Sequence, residues 1–318
     1  MTTQKRPEQE RTERERPDLP PLVQASHEPA RSECLRTPWQ RRVRDSRLRR
    51  LRSVGGYLLG LMVLSSATAC SDDETVEWVL GWSDEFEGTE GTLPDASNWR
   101  FDVGEDWGNA QLEFDTDRAT NVSLDGAGNL RITAREETYQ GRSYTSGRIN
   151  SLELFDQAYG RFEARVRLPV GAGIWPAFWL LGANFLEVGW PDCGEIDILE
   201  YRGQEPFIVH GSLHGPGYSG GSAVTSRYQA STSLDGDFHV YAIEWTPESI
   251  SWYFDDALYQ IVTPRDLPSG GRWVFDHPFF VILNVAVGGN FVGPPNDQTV
   301  FPQTMLVDYV RVYRERSG

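Results

Sequence analysis

The chain has 318 residues, 24% charged and 39% hydrophobic, a globular composition with room for one large or two small domains. Its formal net charge of −16 argues against a nucleic-acid binder, because neutralising phosphates needs clustered Lys and Arg. The average hides an asymmetry: residues 1–53 carry 14 Lys/Arg against 8 Asp/Glu, and residues 54–318 carry 16 against 38. Ten of the 11 Trp lie between Trp78 and Trp273, which suggests a ligand with flat apolar faces and many hydroxyls.

Residues 1–53 are rich in Pro, Glu, Arg and Gln without a lasting hydrophobic period, and read as a disordered basic arm. The arm is long for the basic region of an export signal, so a start codon further along fits equally. Residues 54–69 hold the apolar run Tyr57–Leu64, too short for the ~20 residues of a membrane span. A basic flank, a short apolar core and Ala67-Thr68-Ala69 form the three-part secretory pattern. The small residues before Cys70 resemble a bacterial lipoprotein signal, which implies diacylglycerol at Cys70; plain cleavage after Ala69 fits the same residues. The expected product is secreted or held at the cell surface, with membrane contact only through that lipid. Residues 70–76 read as an acidic tether and residues 77–318 as one domain, long enough for its own core. Of three cysteines only Cys193 falls in this body, so no disulfide staples it.

The body reads as strands. From Gly160 to Pro169, Phe162, Ala164, Val166 and Leu168 take one face, and Arg161, Glu163, Arg165 and Arg167 the other. Leu130–Ala134 and Val307–Tyr313 behave similarly. Ile250–Phe254, the turn pair Asp255-Asp256 and Ala257–Tyr259 form a hairpin signal. Phe279–Val287 is a near-continuous apolar run containing Asn284. With 31 Gly and 19 Pro as punctuation and no sustained helical period, the body is predicted to be an all-β sandwich or barrel.

Gly194-Glu195-Ile196-Asp197-Ile198-Leu199-Glu200 carries the chemistry. Glu195 and Asp197 share a strand face by the period of 2, whereas Glu200, five positions from Glu195, would point away. One extra residue near Ile198–Leu199, a β-bulge, returns Glu200 to the face of the other two. The glutamates would then stand ~13 Å apart at Cα, with side chains able to lean toward the ~5–5.5 Å of a retaining glycosidase or the ~6.5–9.5 Å of an inverting one. The plain alternative is an acidic edge that blocks aggregation. The aliphatic partner face at Ile196 and Ile198, which would anchor the strand rigidly, weighs against it.

This segment resembles the signature of glycoside hydrolase family 16, in the bulged form of its laminarinase-like branch. The resemblance runs from about Trp82 to Tyr313 and includes Trp82-Ser83-Asp84-Glu85-Phe86, Trp107-Gly108-Asn109, Ser146-Gly147-Arg148 and Trp175-Pro176-Ala177-Phe178-Trp179. It implies a β-jelly roll sandwich of two curved antiparallel sheets, with substrate in a groove on the concave face. It further implies Glu195 as nucleophile, Glu200 as general acid/base and Asp197 as the charge between them, in a retaining endo-β-1,3-glucanase acting on laminarin-type glucan. Mixed-linkage glucan or a galactan is the alternative substrate, and a glycan-binding protein without catalysis the alternative class.

Trp175 and Trp179, four apart on one strand face, are expected to stack on successive sugar rings, with Trp190 beside them. Asn109, Arg148 and His214 are expected to meet substrate, His214 also supporting the acid/base. Trp78, Trp99, Trp252 and Trp273 are read as structural and His239 as packing. His210 and His214 lack a third ligand at a metal spacing, which disfavours zinc. Catalysis needs no cofactor. The resemblance implies one structural Ca²⁺ held by the Asp308 side chain and backbone oxygens near Glu87 and Gly128. Ala110-Gln111-Leu112-Glu113 departs from the Glu-Leu-Gln wording of the family. A monomer is expected.

Overall fold

The computed structural model describes residues 76–316. The basic arm, the signal-like segment and Cys70 lie outside the described residues, as does nearly all of the tether. In chain order the strands are β1 (Trp78–Asp84), β2 (Arg100–Phe101), β3 (Glu113–Asp115), β4 (Val122–Leu124), β5 (Leu130–Tyr139) and β6 (Arg142–Ser146). Then come β7 (Arg148–Asn150), β8 (Gly160–Arg167), β9 (Ile174–Gly182), β10 (Glu195–Tyr201), β11 (Ile208–His214) and β12 (Val224–Gln229). The last are β13 (His239–Trp245), β14 (Ile250–Phe254), β15 (Ala257–Val262), β16 (Phe279–Val287) and β17 (Gln303–Glu315).

They form two sheets, giving the expected jelly-roll sandwich. The larger runs β15-β14-β13-β8-β17-β5-β6-β3, with β1 added to β17 and β4 to β5. The smaller runs β12-β11-β10-β9-β16-β7-β2. Pairing is antiparallel except between β3 and β6. The main core lies between the sheets, where Phe162 and Val166 of β8 and Val310 and Val312 of β17 belong to one cluster with Ile174, Phe178 and Leu180 of β9 and Ile196 of β10. Burial of this apolar face sets the register, since a one-residue slip would turn every one of these side chains to water.

The alternation read in β8 is realised on its apolar face, where Phe162, Ala164 and Val166 are fully buried. Its charged face departs from expectation at Glu163, which is buried with 8% exposure. Its carboxylate accepts from Arg161 Nε at 2.8 Å and from the Tyr313 hydroxyl at 3.2 Å, partners that replace the water it loses. In the β14–β15 hairpin, Asp255 and Asp256 take φ of 45° and 65°, the left-handed pair of a type I′ turn that matches strand twist. All nine residues of β16 are buried because β9 and β7 flank it on both sides.

Side chains of the smaller sheet that point away from the main core form a second, thinner layer. Trp175, Ala286 and Val292 cluster at one end, and Leu181, Cys193, Phe280 and Ile282 at the other. Between these apolar clusters the outer face turns polar.

Candidate active site

β10 carries the bulge that the spacing predicts. Against β9 the register steps from Asp197↔Trp179 to Leu199↔Phe178, so Ile198 has no partner. Against β11 it steps from Asp197↔Ser212 to Glu200↔His210. The extra residue rotates Glu200 back to the face of Glu195 and Asp197, and all three line one cleft of about 390 Å³ on the outer face of the smaller sheet. Ile196, Ile198 and Leu199 go into the core and hold the strand there.

Each glutamate has its own donors. Glu200 Oε1 accepts from the Trp175 indole at 3.2 Å, and Oε2 from the Ser212 hydroxyl at 3.3 Å; Ser212 in turn accepts from Thr225 at 3.0 Å. Glu195 Oε2 accepts from the Trp190 indole at 2.9 Å. Burial, then the Asp197 charge, pushes the Glu195 carboxyl up to about 7. His214, the Trp190 N–H and Arg148 hold it back. Burial and Asp197 raise Glu200 as well, well above the ordinary carboxylate range, and the Glu195 charge adds to the rise. Two neighbouring carboxyls with unlike surroundings thus separate into a stronger acid and a weaker one, the arrangement that acid/base division of labour requires.

His214 Nε2 lies 3.1 Å from Asp197 Oδ2 and 3.7 Å from Glu195 Oε1. Burial opposes a charge on this imidazole, whereas the contact with Asp197 and the charges of Asp197, Glu195 and Glu200 favour one and raise its pKa. The Gly220 amide, however, donates to Nδ1 at 3.0 Å, which requires a lone pair there. Because Glu195 and Glu200 are themselves raised, those two carboxyls do not pull on the ring with full charge at neutral pH. The geometry therefore describes a neutral ring with its proton on Nε2. The Glu195, Asp197 and His214 ligand atoms lie within 4.8 Å of one another, but with Nε2 protonated the imidazole presents no lone pair to a metal. His210 is also on β11, yet its Nε2 faces Glu205 at 3.6 Å, so the two histidines do not converge.

All nine residues named from the sequence as catalytic or substrate-binding line this cleft. Their surroundings differ from expectation in one case. Trp175 is 8% exposed and packs on Phe291 at 5.0 Å, so its indole holds Glu200 and offers little face to a sugar. Trp179 is more open; its N–H donates to Asn284 at 2.8 Å, and the Arg148 guanidinium lies 4.9 Å from its ring. Arg148 is fixed from two further sides, by Trp107 at 5.0 Å and by Asp102, which accepts from Nε at 2.8 Å. Trp190 is 50% exposed at the rim, and Asn109 is exposed in the loop before β3.

Sequence reasoning missed Ser212, Asn284 and the pair Glu113 and Asp115. Asn284 was the one polar residue in an apolar strand, and Ser212 is two residues before His214 and so on its face, signals that were available. Glu113 and Asp115 are 2% exposed, on one face of β3. Burial pushes Glu113 to about 7, and burial plus the Glu113 charge raises Asp115 well above the usual range. Arg148 opposes both shifts, but it is already paired with Asp102.

Away from the cleft, Glu87 and Gly128 are neighbours, a Cβ on Gly128 falling 3.7 Å from Glu87 Oε1. Asp308 sits at the irregular step of β17 against β8, and its Oδ2 accepts from Arg165 at 2.6 Å. The oxygen donor type suits Ca²⁺. Asp308 would have to share its carboxylate between the ion and Arg165.

The profile of the family Glycosyl hydrolases family 16 matches residues 104–310. The beta-glucanase of Rhodothermus marinus is 42% identical over 277 residues, covering 84% of this chain and 95% of that protein. The laminarinase catalytic domain from Thermotoga maritima MSB8 superposes with a TM-score of 0.72 at 43% identity, over 76% of this chain and 100% of that one. The endo-beta-1,3-glucanase from Pyrococcus furiosus gives a TM-score of 0.72 at 44% identity, over 77% and 97%.

Proposed function

Since the chain belongs to glycosyl hydrolase family 16 and is a glycoside hydrolase, we propose that it is an endo-β-1,3-glucanase that cleaves laminarin-type glucan with retention of the anomeric configuration. The observation that carries this reading is the bulge in β10, which puts Glu195 and Glu200 on one cleft face with Glu200 the weaker acid. Glu200 keeps its proton at neutral pH and gives it to the departing glycosidic oxygen. Glu195 ionises first and attacks the anomeric carbon, forming a covalent glycosyl-enzyme as the C–O bond breaks. Glu200, now a carboxylate, takes a proton from water; the hydroxide oxygen bonds to the anomeric carbon and Glu195 leaves. Asp197 keeps both neighbours raised, with the His214 ring beside it at 3.1 Å. The β-1,3-linked substrate follows the activities named for the relatives above.

The test is product analysis on laminarin. The wild type is expected to release a ladder of reducing oligosaccharides, with the β-anomer first by NMR. Glu195→Gln and Glu200→Gln are each expected to lose at least ~10³-fold in kcat, since each removes a group that reacts in the transition state. Absence of cleavage on any β-glucan overturns the substrate assignment, and first appearance of the α-anomer overturns retention.

The same proposal includes export, with Cys70 either lipidated or cleaved free, a monomeric state, and a structural Ca²⁺ at Asp308 with backbone oxygens near Glu87 and Gly128. Mass spectrometry of the mature N-terminus distinguishes lipid from plain cleavage.

A further inference from the structure

A bulge leaves main-chain groups without ladder partners, and a buried one needs a substitute. At the bulge of β10 the carbonyl oxygen of Asp197 accepts a 2.8 Å hydrogen bond from the indole N–H of Trp252. Trp252 is fully buried on β14, in the other sheet, so the bond crosses the core of the sandwich. Among the described residues it is the one side-chain hydrogen bond to the main chain of β10. The approach depends on Gly211 of β11: a Cβ there would meet Trp252 Cδ1 and the Tyr259 hydroxyl, each at 2.6 Å, and Trp252 Nε1 at 2.8 Å.

We propose that Trp252 is a positioning residue for the reaction, its indole N–H pinning the bulge so that Glu200 stands opposite the bond whose anomeric carbon faces Glu195. The ladder is in register with β11 up to Asp197 and again from Glu200, and only Ile198 and Leu199 lie between. Moving the extra residue beyond Glu200 would return that side chain to the core side of the strand. The Trp252 bond, made at the last residue before the irregular step, opposes that slide. Gly211 is the space that lets the indole reach. The inference rests on the roles given above to Glu195 and Glu200.

The test uses two replacements at Trp252: Trp252→Phe, and a benzothiophene side chain introduced by codon suppression, which keeps the indole shape and drops the N–H. Both are assayed on laminarin and on a dinitrophenyl β-laminaribioside, whose leaving group needs no proton. Displacing Glu200 is expected to lower kcat/KM on laminarin roughly 10- to 100-fold, and on the aryl glycoside less than about 3-fold. A merely structural role lowers both by one factor, and that result, or no change in either, overturns the proposal. Amide exchange of residues 196–200 provides an arm independent of activity. It is expected to quicken at least ~10-fold in the benzothiophene variant, and unchanged exchange overturns the pinning role even if the wild type proves inactive on both substrates. Activity of the wild type with identical behaviour of the variants defeats only this inference and leaves the assigned function standing.

Discussion

Asp197 and His214 face each other across neighbouring strands, Oδ2 to Nε2 at 3.1 Å, between the two glutamates of one cleft. The contact is close but not linear, and Oδ2 has no aligned donor. After burial, the Asp197 charge is the main influence raising Glu195 and Glu200.

Asp197→Asn should lower both glutamates. In the wild type, kcat/KM should rise along an acid limb with an apparent pKa near 7, set by ionisation of Glu195, and fall at higher pH as Glu200 loses its proton. With asparagine the alkaline limb should move down by about one pH unit, and kcat at neutral pH should fall roughly 10-fold. A pH–rate profile on laminarin measures both limbs. An alkaline limb that stays in place would rule out Asp197 as the source of the raised acid.

Trp190→Phe should act on the opposite limb. The indole N–H donates to Glu195 at 2.9 Å and favours its ionised form. Phenylalanine keeps an aromatic ring at the rim but no donor. The acid limb should move up by less than about one unit, with kcat/KM at pH 6 reduced about 3-fold, because the donor is half-exposed and shared with water. A fall in kcat/KM of equal size at every pH would point to lost sugar contact instead.

Glu113→Gln should change stability, with a definite sign. Burial raises Glu113 from 4.5 to about 7. Between those values the native chain holds a proton that the unfolded chain has released, so stability falls as pH rises through that window. Glutamine keeps an acceptor for the Val287 amide, which Glu113 now receives at 2.8 Å. The variant should match the wild type near pH 4 and exceed it by about 1–3 kcal/mol at pH 8. Urea melts at the two pH values measure this, and a variant less stable at pH 8 would contradict the buried-proton account.

Asp308→Asn tests the proposed Ca²⁺. Millimolar Ca²⁺ should raise the wild-type Tm by a few degrees, since an ion that binds only the native state adds RT ln(1 + [L]/Kd) to its stability, and chelator should reverse the rise. The variant should not respond. If Ca²⁺ leaves the wild-type Tm unchanged, Asp308 serves only Arg165.

Much of the fold was legible because β-sheet geometry is written at period 2. The Phe162–Val166 face, the Asp255-Asp256 turn and the extra residue between Asp197 and Glu200 are all properties of a few adjacent residues, and each stands as read. Glu163 and the Glu113–Asp115 pair were not legible. A carboxylate on an alternating strand looks solvated until the elements that cover it are known, here Tyr313 for Glu163 and the end of β16 for Glu113.

The tryptophans show the same boundary. The sequence alone determined that Trp175 and Trp179 share one face of their strand, and Glu195 and Asp197 one face of theirs, because alternation is a local consequence of extended backbone. Only the tertiary structure decided what each indole does. Trp175 reaches Glu200 across 25 positions, and Trp252 reaches the Asp197 carbonyl across 55. Hydrogen-bond partners at such separations depend on which strands are neighbours and how closely the sheets approach. Those are set by burial of the whole core rather than by spacing along the chain.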